Sequence, residues 1–235
     1  MSDYVNIPIS DRIKTLTLMV TKGNSVCDVG CDHGFTSIYL VKNNISPFAI
    51  ASDVRPGPLS AAAQNIERYG LRDKIQTLLS DGLKGIDKPL DTLIIAGMGG
   101  PLMEKILSFE PEKSKGFKEL ILQPQSDITG FRRFLISAGY SFIDEKAVFE
   151  DGKYYFAMKV VPEEFKGEYS EAQYEFGPVL LKNKDGVLKD YIGKRIKTVS
   201  AIEENISSKG NTVSRERFEE IQKEKAFLLK TLVEL

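Results

Sequence analysis

Cysteine and histidine are scarce in this 235-residue chain, which holds two of the first and one of the second. Cys27 and Cys31 stand four positions apart across a predicted strand end, where their side chains diverge, and no further Cys or His accompanies them. That spacing argues against a disulfide and against a zinc site, and it fits a reducing compartment. No run approaches the roughly 20 apolar residues that span a bilayer. The N-terminus lacks a basic segment followed by an apolar core, so no secretory signal is read. The chain is expected to be cytoplasmic. A formal net charge of −1 gives no whole-molecule attraction to a polyanion, although a local basic stripe can be offset by acids elsewhere. What is present is ordinary for a globular protein, 42% hydrophobic and 28% charged residues, and excludes a disordered chain.

The pattern alternates between strand and helix signals. An amphipathic helix over 10–20, capped by Ser10, would place Ile13, Leu16, Leu18 and Val20 on one face. Strands are predicted at 25–30, 48–54, 74–80, 91–96 and 119–122. Helices are predicted at 35–42, 59–69, 101–107 and 128–138, the last capped by Asp127. Pro56 and Pro58 lead into the helix at 59–69 and Gly70 closes it. Two further strands, 140–148 and 153–161, flank Asp151-Gly152, a hairpin turn signal. Five β-α alternations imply an α/β fold with a parallel sheet covered on both faces. A terminal antiparallel hairpin added to a Rossmann-like sheet is typical of the class I methyltransferase architecture.

After Pro162 the character changes. Two long helices, about 178–208 and 213–235, carry apolar stripes at 3–4 spacing: Leu188, Ile192, Val199, Ile202 and Ile206, then Phe218, Ile221, Leu228, Leu232 and Leu235, with Lys225 interrupting. Gly210-Asn211 supplies a reversal. The expected division is a domain over 1–162 and a coiled-coil-like helical hairpin over 163–235. A monomer satisfies both stripes, though the pattern leaves the oligomeric state open.

The chemistry gathers at predicted strand ends. The first strand runs into Asp28-Val29-Gly30-Cys31-Asp32-His33-Gly34, a glycine-bearing turn that brings backbone N–H groups close to a ligand. Its D-x-G-x-x-x-G pattern is not the G-x-G-x-x-G of dinucleotide sites. Carboxylates crowding the turn would repel a diphosphate and suit the sulfonium and ammonium of S-adenosylmethionine. The second strand ends at Asp53-Val54, an acid placed to hold a ribose diol. The third ends at Ser80-Asp81-Gly82, suited to an adenine edge. Asp28, Gly30, Gly34, Asp53, Val54, Asp81, Gly82 and Gly97 are thus the candidate cofactor-binding residues. The fourth strand ends in Gly97-Met98-Gly99-Gly100, a small loop leaving room for a flat acceptor ring. Asp32, His33, Met98 and Gly99 are the candidate catalytic residues. His33 is as readily a structural hydrogen-bonder as a catalyst. Gln123-Pro124-Gln125 offers amides to a base edge, and Tyr154 and Tyr155 read as half-buried strand residues.

D-V-G-C-D-H-G at 28–34, S-D-G-L at 80–83, A-G-M-G-G at 96–100, L-I-L-Q-P-Q at 120–125 and E-D-G-K-Y-Y at 150–155 together resemble the bacterial tRNA (adenine-22-N1)-methyltransferase family. The likeness extends from Asp11-Arg12-Ile13 through E-F-G-P-V-L-L at 175–181 to the helical hairpin. Cys31, Gly34 and Phe35-Thr36-Ser37 depart from the family's usual residues. The resemblance implies methylation of adenine N1 in the D-arm region of tRNA, with S-adenosylmethionine as methyl donor. It places Asp28 and Gly30 at the cofactor turn and Asp32-His33 at the catalytic entrance, Asp32 being functionally critical.

A tRNA partner needs phosphate contacts. Between Lys182 and Lys197 six basic residues face two acids, an excess of +4, and Lys189, Lys194 and Arg195 are the chosen contacts. Arg12, Lys14 and Arg132-Arg133 add positive charge elsewhere. Two other readings stay open from the residues alone: methylation of a small molecule or protein, and a tRNA-binding protein without catalysis. An NAD dehydrogenase ranks last, lacking the third fingerprint glycine.

Overall fold

The structure, a computed structural model, describes residues 7–209 and 215–235. It divides into two compact units, one ending at Glu168 and the other Tyr169–Leu235. The first unit begins with helix α1 (Asp11–Met19), followed by β1 (Val26–Val29), α2 (Phe35–Lys42), β2 (Ala49–Asp53), α3 (Pro56–Arg68) and β3 (Ile75–Leu79). It continues with β4 (Thr92–Met98), α4 (Gly100–Phe109), α5 (Pro111–Lys115), β5 (Glu119–Pro124), α6 (Ile128–Ser137), β6 (Ser141–Glu150) and β7 (Lys153–Val161). The strands form one sheet in the order β3-β2-β1-β4-β5-β7-β6. Strands β1 to β5 pair in parallel, while β7 runs antiparallel to both β5 and β6. The expected class I methyltransferase sheet with its closing hairpin is the fold observed. Asp151 and Gly152 both take positive φ, 50° and 77°, as a two-residue type I′ turn requires.

The central strands are apolar because helices cover both faces. Every residue of β1, β2 and β5 is buried, whereas the edge strand β3 is buried only at Ile75. Leu16 of α1, Ile38 and Leu40 of α2, Ala62 and Ile66 of α3 and Ile94 of β4 share one core. At the amino ends of the strands, Glu119 accepts from Lys159, Thr21 and Thr92 at 2.6–2.8 Å, tying β5 to β4, β7 and the segment after α1. Burial opposes its charge, yet those hydrogen bonds hold the Glu119 carboxyl below its ordinary range.

Several local expectations are revised. Leu18 is 67% exposed, because it lies two residues from buried Leu16 and so some 200° around the helix. Helix α3 begins at Pro56, which occupies the first turn, where a missing N–H costs nothing. Asp127 does not cap α6 through its side chain; its backbone is left-handed and its carboxylate lies over Gly130. Arg132 is not a surface cation. It is 1% exposed and its Nε donates to Glu145 at 3.1 Å.

The second unit contains α7 (Glu171–Phe176), α8 (Pro178–Lys182), α9 (Gly186–Lys209) and α10 (Arg215–Glu234). The single helix expected over 178–208 is broken at Lys184, whose φ is +51°. Asp185 then caps α9, accepting from the Leu188 amide at 2.8 Å. Leu188, Ile192 and Leu228 are fully buried and Ile221 nearly so, while Ile202 is exposed. Lys225, which interrupts the second stripe, pairs with Glu203 of α9 at 2.6 Å. The reversal expected at Gly210-Asn211 lies outside the described residues.

Glu145→Gln leaves the Arg132 guanidinium buried without its carboxylate. It is expected to cost about 3–5 kcal/mol in urea unfolding, far more than the same change at exposed Glu67, which pairs with Arg72 at the surface.

Candidate functional site

The carboxyl ends of β1 to β4 open into one cleft of about 840 Å³. Asp28, Gly30, Asp32 and His33 reach it from the β1 turn, Asp53 and Val54 from β2, Asp81 and Gly82 from beyond β3, and Gly97 and Met98 from β4. Gly34 and Gly99 are not among its walls.

The β1–α2 turn owes its shape to left-handed backbone at three positions, Gly30, Asp32 and Gly34, with φ of 77°, 49° and 75°. The Gly30 and Cys31 amides both donate to the Ser52 carbonyl, at 2.8 and 2.9 Å, which binds the turn to the end of β2. Asn65 of α3 donates to the His33 carbonyl at 3.0 Å. A Cβ on Gly30 would collide with the Met98 methyl. Met98 reaches that place because the β4–β5 register slips between Ala96 and Met98, with Gly97 at φ 78° forming the bulge.

Gly34, expected as a cofactor contact, is also a packing position. It precedes α2, and a Cβ there would stand 3.1 Å from the Ala62 Cβ, so it sets how closely α2 meets α3. Gly99 and Gly100 serve packing too: Cβ atoms there would stand 2.7 Å from the Ser126 Oγ and 2.8 Å from the Ser126 carbonyl. Of the small loop, Gly97 and Met98 face the cleft.

Four carboxylates line the cleft in unlike settings. Asp28 is 4% exposed and accepts the Ser37 hydroxyl at 2.9 Å. Burial pushes its carboxyl up to about 6, against the pull of the Ser37 hydrogen bonds and with a further push from the Asp53 charge. Asp53, equally buried, accepts the Arg55 amide at 2.9 Å and its Nε at 3.4 Å. Asp81 is exposed and hydrogen-bonded to Lys84 at 2.7 Å, which holds its carboxyl below the usual range. Asp32 is 63% exposed, with the His33 Nε2 3.7 Å away. Apolar Val54, Leu102 and Ile106 also line the cleft.

Two further residues named in the sequence, Arg12 and Gln125, also line the cleft. Arg12 at the start of α1 lines it, and its Nη1 donates to the Gln123 Oε1 at 2.6 Å. Gln123 is therefore not a base-edge reader: it is 1% exposed and its Nε2 is turned to the Pro124 carbonyl. Gln125 faces the cleft instead.

In the second unit Lys189 and Lys194 are exposed on α9. Arg195 is not an open phosphate contact, because its guanidinium bridges Glu175 of α7 and Glu224 of α10. Those hydrogen bonds outweigh burial and push its protonation upward.

A family model described as tRNA (adenine(22)-N(1))-methyltransferase, TrmK, matches residues 26–226. The tRNA (adenine(22)-N(1))-methyltransferase of Bacillus subtilis is 32% identical over 211 residues, covering 88% of this chain and 89% of that protein. The crystal structure of the Bacillus subtilis M1A22 tRNA methyltransferase TrmK superposes with a TM-score of 0.81 at 29% identity, covering 96% of this chain and 99% of that one. Sp1610 of Streptococcus pneumoniae in complex with S-adenosyl-L-methionine gives 0.84 at 28% identity, with 95% and 99% covered. By family match and by identity across most of its length, the chain belongs to the tRNA (adenine(22)-N(1))-methyltransferase family.

Proposed function

We propose that the cleft at the carboxyl ends of β1 to β4 holds S-adenosylmethionine against adenine 22 of tRNA, and that this is a cytoplasmic enzyme methylating N1 of that base. The carrying observation is the convergence of Asp28, Asp32, Asp53 and Asp81 on one cleft that apolar Val54, Leu102 and Ile106 also line. That donor set fits the cofactor: carboxylates for its cationic groups and ribose hydroxyls, and Val54, Leu102 and Ile106 for its flat ring. The bound cofactor supplies an electrophilic methyl group, which N1 takes with its own lone pair as the C–S bond breaks, so positive charge passes to the base and no proton moves.

The chain's contribution is positioning and electrostatics. Asp53 is held by Arg55 in one orientation, as a ribose contact requires. Asp32 projects from a left-handed residue at the cleft wall and lies exposed to an incoming base. There it orients the adenine amino group and stabilises the charge that develops on the ring. A general base has no role, since N1 carries no proton to remove. Met98, over the Gly30 turn, packs where base and cofactor meet. N1 lies on the Watson–Crick edge, so the adenine must leave its pairing to enter.

Labelled methyl transfer from S-adenosylmethionine to tRNA, followed by nucleoside analysis, tests the reading. N1-methyladenosine is expected with wild type, and a fall in kcat of about 100-fold with Asp32→Ala, cofactor affinity staying within a few-fold. Methyl groups on protein and not on RNA would defeat it.

Asp28 adds a pH signature. Its folded value, about 6, lies above that of a free carboxyl. Its contribution to stability is therefore full in acid and lost as pH rises from about 4 to about 6. Asp28→Asn should remove that loss, gaining on wild type by up to roughly 3 kcal/mol between pH 4 and 7 in urea titrations. A cationic ligand favours the ionised carboxyl, so wild-type affinity for S-adenosylmethionine should rise over the same window and the variant's should not.

For tRNA binding, Lys189→Glu and Lys194→Glu together should weaken affinity and lower the salt dependence by about two counterions. A salt slope unchanged from wild type would place the RNA elsewhere.

A further inference from the structure

Most arginines of the described residues form ion pairs with a carboxylate beside them: Arg55 with Asp53, Arg72 with Glu67, Arg132 with Glu145, Arg195 with two glutamates, Arg215 with Glu219 and Arg217 with Glu220. Arg12 is built differently. Its guanidinium is half-buried and fixed from two sides, by the Gln123 Oε1 at 2.6 Å and by the Tyr155 ring, whose centroid lies 5.2 Å from Cζ. Both partners are neutral, and among the described residues no carboxylate pairs with it. The amide of Arg12 donates to Glu150 Oε1 at 3.1 Å, so the helix start is anchored by the backbone and the side chain is not needed for that.

Fixing a guanidinium costs rotamer entropy, and holding it with neutral groups leaves its charge unspent. The cleft is rich in carboxylates, any of which would serve if the residue were only structural. Arg12 is instead kept on the side where those acids are not. They stand at the ends of β1, β2 and β3, while Gln123 ends β5 and Tyr155 lies on β7. At about 4.8 Å per strand, β5 is roughly 10 Å from β1 across the sheet, with β4 and Met98 between. A base placed over Met98, between the acids and Arg12, would carry its sugar-phosphate on the Arg12 side.

We infer that Arg12, held by Gln123 and Tyr155, binds a backbone phosphate of the nucleotide that enters the cleft. A planar fork with one N–H committed to Gln123 still offers donors suited to a phosphodiester. The inference rests on the tRNA reading above and adds to it a specific anion site in the first unit, apart from α9.

The test compares wild type with Arg12→Gln, measuring tRNA affinity across a salt series, cofactor affinity and methyl transfer. The variant is expected to bind tRNA about 10-fold more weakly, with a salt slope lower by about one, while its affinity for S-adenosylmethionine is unchanged. Arg12→Lys should restore the slope but only part of the affinity, since an ammonium cannot bond Gln123 and cover Tyr155 together. If Arg12→Gln does not fold, Tyr155→Leu should weaken tRNA binding and Tyr155→Phe should not. Wild-type tRNA affinity and slope in Arg12→Gln would overturn the inference, as would an equal loss of cofactor affinity or equal behaviour of the two Tyr155 variants. Wild-type enzyme that makes N1-methyladenosine while Arg12→Gln keeps its slope defeats this inference alone; wild type that methylates no RNA defeats the functional reading itself.

Discussion

Left-handed backbone at Gly30, Asp32 and Gly34 turns the chain back on itself within five residues, and the cleft depends on that turn. The Gly30 and Cys31 amides grip the Ser52 carbonyl, so the end of β2 and its Asp53 are held beside the turn. Gly30 leaves the space that the Met98 methyl covers, and Gly34 lets α2 approach Ala62 of α3. Asp32 tolerates the left-handed region better than a branched or bulky residue would, which presents its carboxylate on the cleft side. A side chain at Gly30 would meet both a strained φ and an occupied space, and would disturb three strands at once.

Much of this was legible in the chain. Parallel strands buried on both faces leave continuous apolar runs, and ligands of such sheets gather at carboxyl ends, so Asp28, Asp53 and Asp81 announced the cleft by position alone. Glycines were less informative because one residue type serves several needs. Gly30 and Gly97 face the cleft, but Gly34, Gly99 and Gly100 answer to Ala62 and Ser126, partners distant in sequence that no local pattern reveals. Cations misled for the same reason. Arg132 and Arg195 read as surface charge until their glutamates, 13 and 20 or 29 residues away, are in view. The helix break at Lys184 was hidden because Pro178 can open a helix and nothing nearby demands a stop.

Charge is divided across the sheet. Asp28, Asp32, Asp53 and Asp81 stand at β1 to β3, and Arg12 stands toward β5 and β7. On the proposed reading, a cationic cofactor and a polyanionic substrate meet different sides of one cleft, with the neutral Gly97-Met98 bulge between them. At the opposite end of the strands the Glu119 network ties four elements with short hydrogen bonds, so the sheet is fastened at the end away from chemistry. The cleft end is left to turns and exposed carboxylates, which a substrate can engage.

Cys31 sits in the cleft wall at the centre of this acidic half, 6% exposed. Burial first, then the charges of Asp28, Asp53 and Asp32, push its thiol far above the ordinary range. Since the thiolate is the reactive species, an electrophile entering the cleft meets a protonated and largely buried sulfur with little nucleophilic character. A buried thiol held protonated is a poor target for a covalent inhibitor. A compound that blocks this site must hold it as a substrate does, by shape and by charge.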